Sequence, residues 1–115
     1  MVLSGRSKKL TIIIGEHERV YQRPLYEAIV FAAKKYKLSG ATVVKGLLSF
    51  GCDSLDSSAK VFALASDMPV VITMVDVPER IEDFSSIMSK LLDKAQSGGI
   101  IYMDDVSVVR YSHSN

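Results

Sequence analysis

Residues 46–76 read GLLSFGCDSLDSSAKVFALASDMPVVITMVD, and the way its two apolar runs are joined decides the fold. One run ends near Leu48 and the other begins near Met68. Two residues are enough to turn an antiparallel pair, yet nearly twenty stand between these runs. A compact domain seldom devotes so much chain to a connection that has no task. The two runs are therefore expected to be neighbouring strands that carry a long functional loop.

The rest of the chain fits round that pair. Ala41 to Leu48 is rich in β-branched residues, and Pro69 to Val75 is nearly all apolar, as a central strand should be. Asp76-Val77-Pro78-Glu79 has capping-box spacing and opens a helix. Ile81, Phe84, Met88, Leu91 and Ala95 would line that helix's inner face, and Ser97-Gly98-Gly99 breaks it. Ile100 to Tyr111 supplies a last strand, bent where Asp104-Asp105 turns the chain. Upstream, Leu10-Thr11-Ile12-Ile13-Ile14, closed by Gly15, reads as a buried strand. A polar stretch from Glu16 to Arg23 leads to Pro24, well placed in a first helical turn. Leu25, Ile29, Ala32 and Tyr36 then recur at helical spacing. Lys34, Lys35 and Lys37 gather where the helix dipole favours cations, and Ser39-Gly40 stops the helix.

The order is thus βαββαβ. Right-handed crossovers place both helices on one face of an antiparallel sheet, an α+β, ferredoxin-like arrangement with a long loop between its second and third strands. The domain spans residues 9–111, with a flexible N-terminus over 1–8 and a tail over 112–115. Alternate positions in Leu10–Ile14 and Val70–Val75 are apolar on both sides. Two helices cover only one face, so a partner chain is expected on the other.

Bulk properties exclude several classes. With 115 residues, there is room for one core. Hydrophobic residues make up 48% and charged ones 23%, an ordinary globular balance. A net charge of +1 gives no field that would draw nucleic acid or anionic lipid. No apolar run approaches a membrane span, and MVLSGRSKK lacks the apolar core of a signal peptide. A single cysteine, Cys52, rules out an internal disulfide and suits a reducing cytoplasm. RNA-recognition domains of this fold stack bases on aromatics of the central strands. Those strands here read LTIIIG and PVVITMVD, without an aromatic residue, which argues against nucleic acid as a partner.

No catalytic constellation is visible. Glu16-His17-Glu18 places two carboxylates beside one histidine, but on an extended chain they diverge, and a solvated loop explains them better than a metal does. Cys52 has no histidine or cation adjacent in sequence to lower its pKa and reads as an incidental thiol. What remains is glycine: Gly46, Gly51 and the pair Gly98-Gly99 border strand ends, where they either shape turns or let a ligand approach the backbone.

PLYEAIVFAAKKYKLSGATVVKGLLSFG (24–51) and DMPVVITMVDVPERIEDF (67–84) closely resemble the uncharacterised PII-like family called domain of unknown function 190, a likeness covering Lys9 to Tyr111. That family is similar in fold to the PII signal-transduction proteins and the CutA cation-tolerance proteins, both trimers of ferredoxin-like subunits. The resemblance implies a non-enzymatic regulatory homotrimer whose loop, residues 49–66, engages a partner in the manner of a PII T-loop. Some relatives are encoded beside a membrane fluoride exporter, which points to a transporter or channel as that partner. A small-molecule effector, of adenine-nucleotide or nucleoside type, would sit between subunits. The resemblance places Gly46, Ser49, Phe50 and Gly51 on one side of that cleft, with Lys45 or Lys60 as nearby bases to neutralise a phosphate. AQSGGIIYMDDVSVV (95–109) resembles the segment with the second loop and contributes Gln96, Ser97, Gly98 and Gly99, with Arg110 as a further base. Glycine amides would approach the ligand, Phe50 would cover a ring, and Ser49 or Gln96 would donate hydrogen bonds. This chain lacks the phosphate-binding lysine of the PII second loop. Residues 49–66 hold two acids, Asp53 and Asp56, against one base, Lys60, so a ligand with less charge than a triphosphate fits better. The alternative is a CutA-like trimer binding a divalent metal through Glu16, His17 and Cys52.

Overall fold

The computed structural model describes residues 5–46 and 68–111. Strand β1 (Gly5–Gly15) is followed by a small hairpin of β2 (Arg19–Val20) and β3 (Arg23–Pro24). Helix α1 (Leu25–Lys35), β4 (Ala41–Lys45), β5 (Pro69–Asp76), helix α2 (Pro78–Ala95) and β6 (Ile100–Val108) follow among the described residues. The sheet order is β4-β5-β1-β6 and every neighbouring pair is antiparallel, so the two most apolar strands are central, as expected of a ferredoxin-like sheet.

Alternation along the strands assigns the two sheet faces. Leu10, Ile12 and Ile14 of β1 and Val70, Ile72 and Met74 of β5 are buried beneath the helices. They pack against Leu25 and Ile29 of α1 and Ile81, Phe84, Met88 and Leu92 of α2. Each fully buried aliphatic side chain contributes about 1.5–3 kcal/mol. The stripe on α2 runs through Leu92, while Leu91 and Ala95 are only half-buried, because steps of three, four and four hold one line along a 3.6-residue helix. Tyr36 and Phe84 meet across the helix pair with ring centroids 5.3 Å apart.

On the opposite face, register aligns Val44 with Val71, Val71 with Ile13, and Ile13 with Ile100. A second row crosses all four strands as Thr42, Thr73, Thr11 and Tyr102. No described helix lies over these side chains, and Val44, Ile100 and Tyr102 are 37%, 51% and 43% exposed. Thr11 is buried there, and its hydroxyl has no hydrogen-bond partner among the described residues.

Several sequence expectations need correction. Strand β1 begins at Gly5, with Gly5 to Lys8 paired to Val108 through Asp105, so the ordered sheet starts before Lys9. No bend occurs at Asp104-Asp105: both residues lie in continuous register opposite Lys9 and Lys8, where opposite charges favour extended pairing over a turn. Strand β4 ends at Lys45, because Gly46 takes φ +73°, and Leu47 and Leu48 lie outside the described residues. The long loop, 49–66, lies outside them as well. The capping box does not form: Val77 is the N-cap of α2 and no side chain caps it. Asp76 is wholly buried, accepting from the backbone N–H of Val77 at 2.7 Å and of Ser39 at 3.1 Å. Both helices end before their glycines, with Lys37 (φ 63°) and Gln96 (φ 54°) left-handed. The N–H groups that follow return to the last turn, Leu38 to Ala33 O and Ser97 to Leu92 O, as in a Schellman motif.

Candidate functional site

The sequence-nominated residues that are described divide between the two ends of the sheet. Lys45 and Gly46 leave β4 where Pro69 and Val70 enter β5, opposite Ile14 and Gly15 of β1. Gln96 to Gly99 lead into β6 at Ile100, opposite Ile13. Both groups therefore lie at the C-terminal end of β1. They flank opposite edges of the sheet, about 14 Å apart at three strand spacings. Arg110 lies at the other end, lining a cleft of about 310 Å³ with Ser39, Gly40, Thr42, Val75 and Tyr111. There the Tyr111 hydroxyl donates to Ser39 O at 2.7 Å. One chain does not bring Arg110 to the candidate site. Ser49, Phe50, Gly51, Lys60 and Cys52 lie outside the described residues.

The segment between β1 and β2 links the two halves of this end, a role not read from the sequence. The backbone N–H of Glu16 donates to Met68 O at 2.8 Å, and its carboxylate meets Lys45 Nζ at 3.4 Å. Glu16 thus holds the chain both where it leaves β4 and where it returns to β5. Gly46 N–H donates to Pro69 O at 2.8 Å, which closes the same base. The Lys45 ammonium also lies over the Tyr26 ring, 4.7 Å from its centroid. Tyr26 first, and Glu16 second, hold its pKa above the ordinary lysine value. Two residues on, Glu18 accepts a hydrogen bond from the Ser97 hydroxyl, which in turn accepts from Gly99 N–H at 3.0 Å. Glu18 O receives Leu25 N–H at 2.7 Å, which ties this link to the start of α1.

The glycines here differ in kind. A Cβ on Gly99 would collide with Ile13 O and stand 2.7 Å from Ile14 Cγ2, so only glycine lets the chain pass this close to β1. A Cβ on Gly98 would meet nothing within 4 Å. Gly99 is therefore explained by packing, and Gly98 presents open backbone. Gln96 supplies a left-handed stop to α2 with its side chain exposed.

Among the described residues this end offers the Lys45 ammonium, the amides round Gly46 and Gly98, and the Glu16 and Glu18 carboxylates, each committed to a neighbour. Among the described residues no three His, Cys, Asp or Glu side chains converge as metal ligands. The larger cleft, about 610 Å³, is lined by Arg6, Lys8, Pro78, Glu79, Glu82 and Asp105 and lies away from this end. Lys8 is answered within it by Asp105 at 3.2 Å and Glu82 at 3.8 Å. Among the described residues no helix is long and apolar enough to cross a membrane.

Comparison with known proteins agrees with this architecture. The family model DUF190, described as an uncharacterized ACR, matches residues 7–108. A UPF0166 protein of Aquifex aeolicus is 31% identical over 104 residues, covering 90% of this chain and 94% of its own. Among solved structures, CPII of Thiomonas intermedia K12, bound to ADP, AMP and acetate, superposes with a TM-score of 0.65 at 17% identity, covering 96% of this chain and 93% of that one. A chain of Thermus thermophilus described as a candidate PII-like signaling protein gives a TM-score of 0.60 at 18% identity, covering 91% of each. At such identities the structural likeness speaks for the fold, which here is PII-like.

Proposed function

The chain belongs to the DUF190 (UPF0166) family, and on that premise we propose that it is a non-enzymatic PII-like regulator, a homotrimer that holds a small adenine-type ligand between subunits. The observation that carries this is the split site. Lys45 and Gly46 stand at one edge of the sheet and Gln96 to Gly99 at the other, at the same end. Among the described residues neither half encloses a ligand alone, but the β4 edge of one copy set against the β6 edge of the next would form a cleft. The uncovered face carrying Val44, Val71, Ile13, Ile100 and Tyr102 gives such an assembly an apolar surface to bury. CPII, a structural neighbour, binds ADP and AMP, which favours adenine nucleotides as the first ligands to try. In this proposal Ser49, Phe50, Gly51 and Lys60 complete the loop side of the cleft, Arg110 comes from another copy, and residues 49–66 meet a partner protein such as a membrane transporter.

Two measurements test it. Light scattering in dilute solution should give three times the 12.6 kDa chain mass. Calorimetry with AMP, ADP and adenosine should give saturable binding, lost in Gly98→Arg without loss of the trimer. A stable monomer, or no binding by any of the three, refutes the proposal. The divalent-metal alternative predicts instead a rise in melting temperature with metal ions and none with nucleotides.

A further inference from the structure

We infer that Glu16 is a specificity-determining residue: by occupying the Lys45 ammonium it biases the candidate site against ligands with long phosphate chains and toward those of lower charge. The inference rests on the proposed ligand cleft, and it concerns which member of the ligand class is accepted. Among the described residues Lys45 is the cation at the β4 side of that cleft, and its ammonium is shared between the Glu16 carboxylate at 3.4 Å and the Tyr26 ring at 4.7 Å. Both partners of the ion pair are partly solvated, with side chains 44% and 31% exposed. Such a pair is weak enough for a ligand anion to break, yet the carboxylate cannot move far once displaced. The Glu16 N–H bond to Met68 O fixes its backbone, so the carboxylate stays within side-chain reach of the ammonium whatever binds there.

The other half of the site adds to the effect. Glu18 is held beside the second loop by the Ser97 hydroxyl, which places a second carboxylate at the same end of the sheet. Against the two, Lys45 is the cation among the described residues that joins Glu16 in an ion pair here. Arg19 is turned toward Gln22 O, and Lys94 toward the Tyr21 ring. Each further phosphate brings one more negative charge toward these carboxylates. The penalty therefore grows with the number of phosphates and not with the size of the base or sugar.

The test is a charge series with the full-length protein: adenosine, AMP, ADP and ATP by calorimetry at constant ionic strength, for the wild type and Glu16→Gln. Gln keeps the shape and the backbone bond to Met68 and removes the charge. Glu16→Gln should tighten ATP by about tenfold and AMP by no more than about threefold, so that the ATP/AMP ratio changes. A Glu16→Asp variant should keep the wild-type ranking. Equal factors for all three nucleotides, or a weakening of ATP, overturn this inference and leave the proposed function standing. If the wild type binds none of them while Glu16→Gln binds ATP, exclusion by Glu16 is supported and the nucleotide-regulator proposal is refuted. If neither protein binds any, both fall. Matching melting temperatures establish that the two variants are folded.

Discussion

At residue scale, the pair Gly98-Gly99 separates packing from openness. Alanine at 99 would drive its Cβ into Ile13 O, and β1, hydrogen-bonded on both sides, has no room to retreat. Gly99→Ala should cost about 1–3 kcal/mol in chemical denaturation, and Gly98→Ala should stay within about 0.5 kcal/mol. Equal costs would contradict the geometry. Lys45 supports a second expectation, in pH. A cation whose folded pKa lies above its unfolded value stabilises fully below the unfolded pKa and fades as pH rises through the folded one. The stability difference between wild type and Lys45→Met should therefore hold constant through neutral pH and shrink only above 10.5. A Lys45 titration midpoint at or below 10.5 by NMR would contradict the Tyr26 and Glu16 contacts. Neither Gly99's obligation nor Glu16's position was legible in the sequence. Both depend on which backbone lies across the sheet, and a local spacing carries no trace of that.

At element scale, one residue of α2 secures the end of α1. The Arg80 guanidinium donates to Tyr36 O at 2.6 Å and Lys37 O at 2.9 Å, two carbonyls at the end of that helix. It stacks 4.8 Å from the Tyr36 ring centroid and pairs with Asp76 at 3.6 Å. Asp76 in turn fixes the turn after α1 through Ser39 N–H, while the Ser39 hydroxyl reaches Val75 O. Arg80→Ala should cost about 1.5–3 kcal/mol. Asp76→Ala should cost about 1–3 kcal/mol, since it leaves two half-buried amides without their acceptor and removes the ion pair to Arg80. A double-mutant cycle should show that the two losses do not add; strict additivity would mean that the network is not shared. The spacing of Asp76 and Glu79 predicted a local cap, and the carboxylate went instead to a partner 37 residues away. Spacing cannot anticipate this, because a buried carboxylate takes whatever donors the packed loops present.

At the scale of the whole molecule, the unpartnered sheet face is the feature with consequences. Replacing Val44 and Tyr102 together by lysine places two charges on that face without touching the helix-side core. If copies of the chain cover it, burying unpaired ammonium groups is strongly unfavourable. The double variant should then run as a monomer by light scattering, with an unchanged far-ultraviolet spectrum. An unchanged assembly mass would mean that the copies meet through another surface.

The apolar periods along the chain determined the four strands of the main sheet, the two helices, their order and the identity of the central pair, but not the β2–β3 hairpin. A period of two or of 3.6 residues is a property of neighbours in sequence, and burial follows from it. The chain also carried its family in two long motifs, and the apolar alternation on both sides of β1 and β5 announced a face that no described helix covers. Tertiary structure alone decided the rest: Asp76 facing the end of α1, Glu16 joining both limbs of the loop base, and Arg110 at the opposite end from Lys45. It also decided that the two halves of the candidate site stand three strands apart. These are relations between residues distant in sequence, set by strand order and register, and a chain specifies them only through the packing of its whole core.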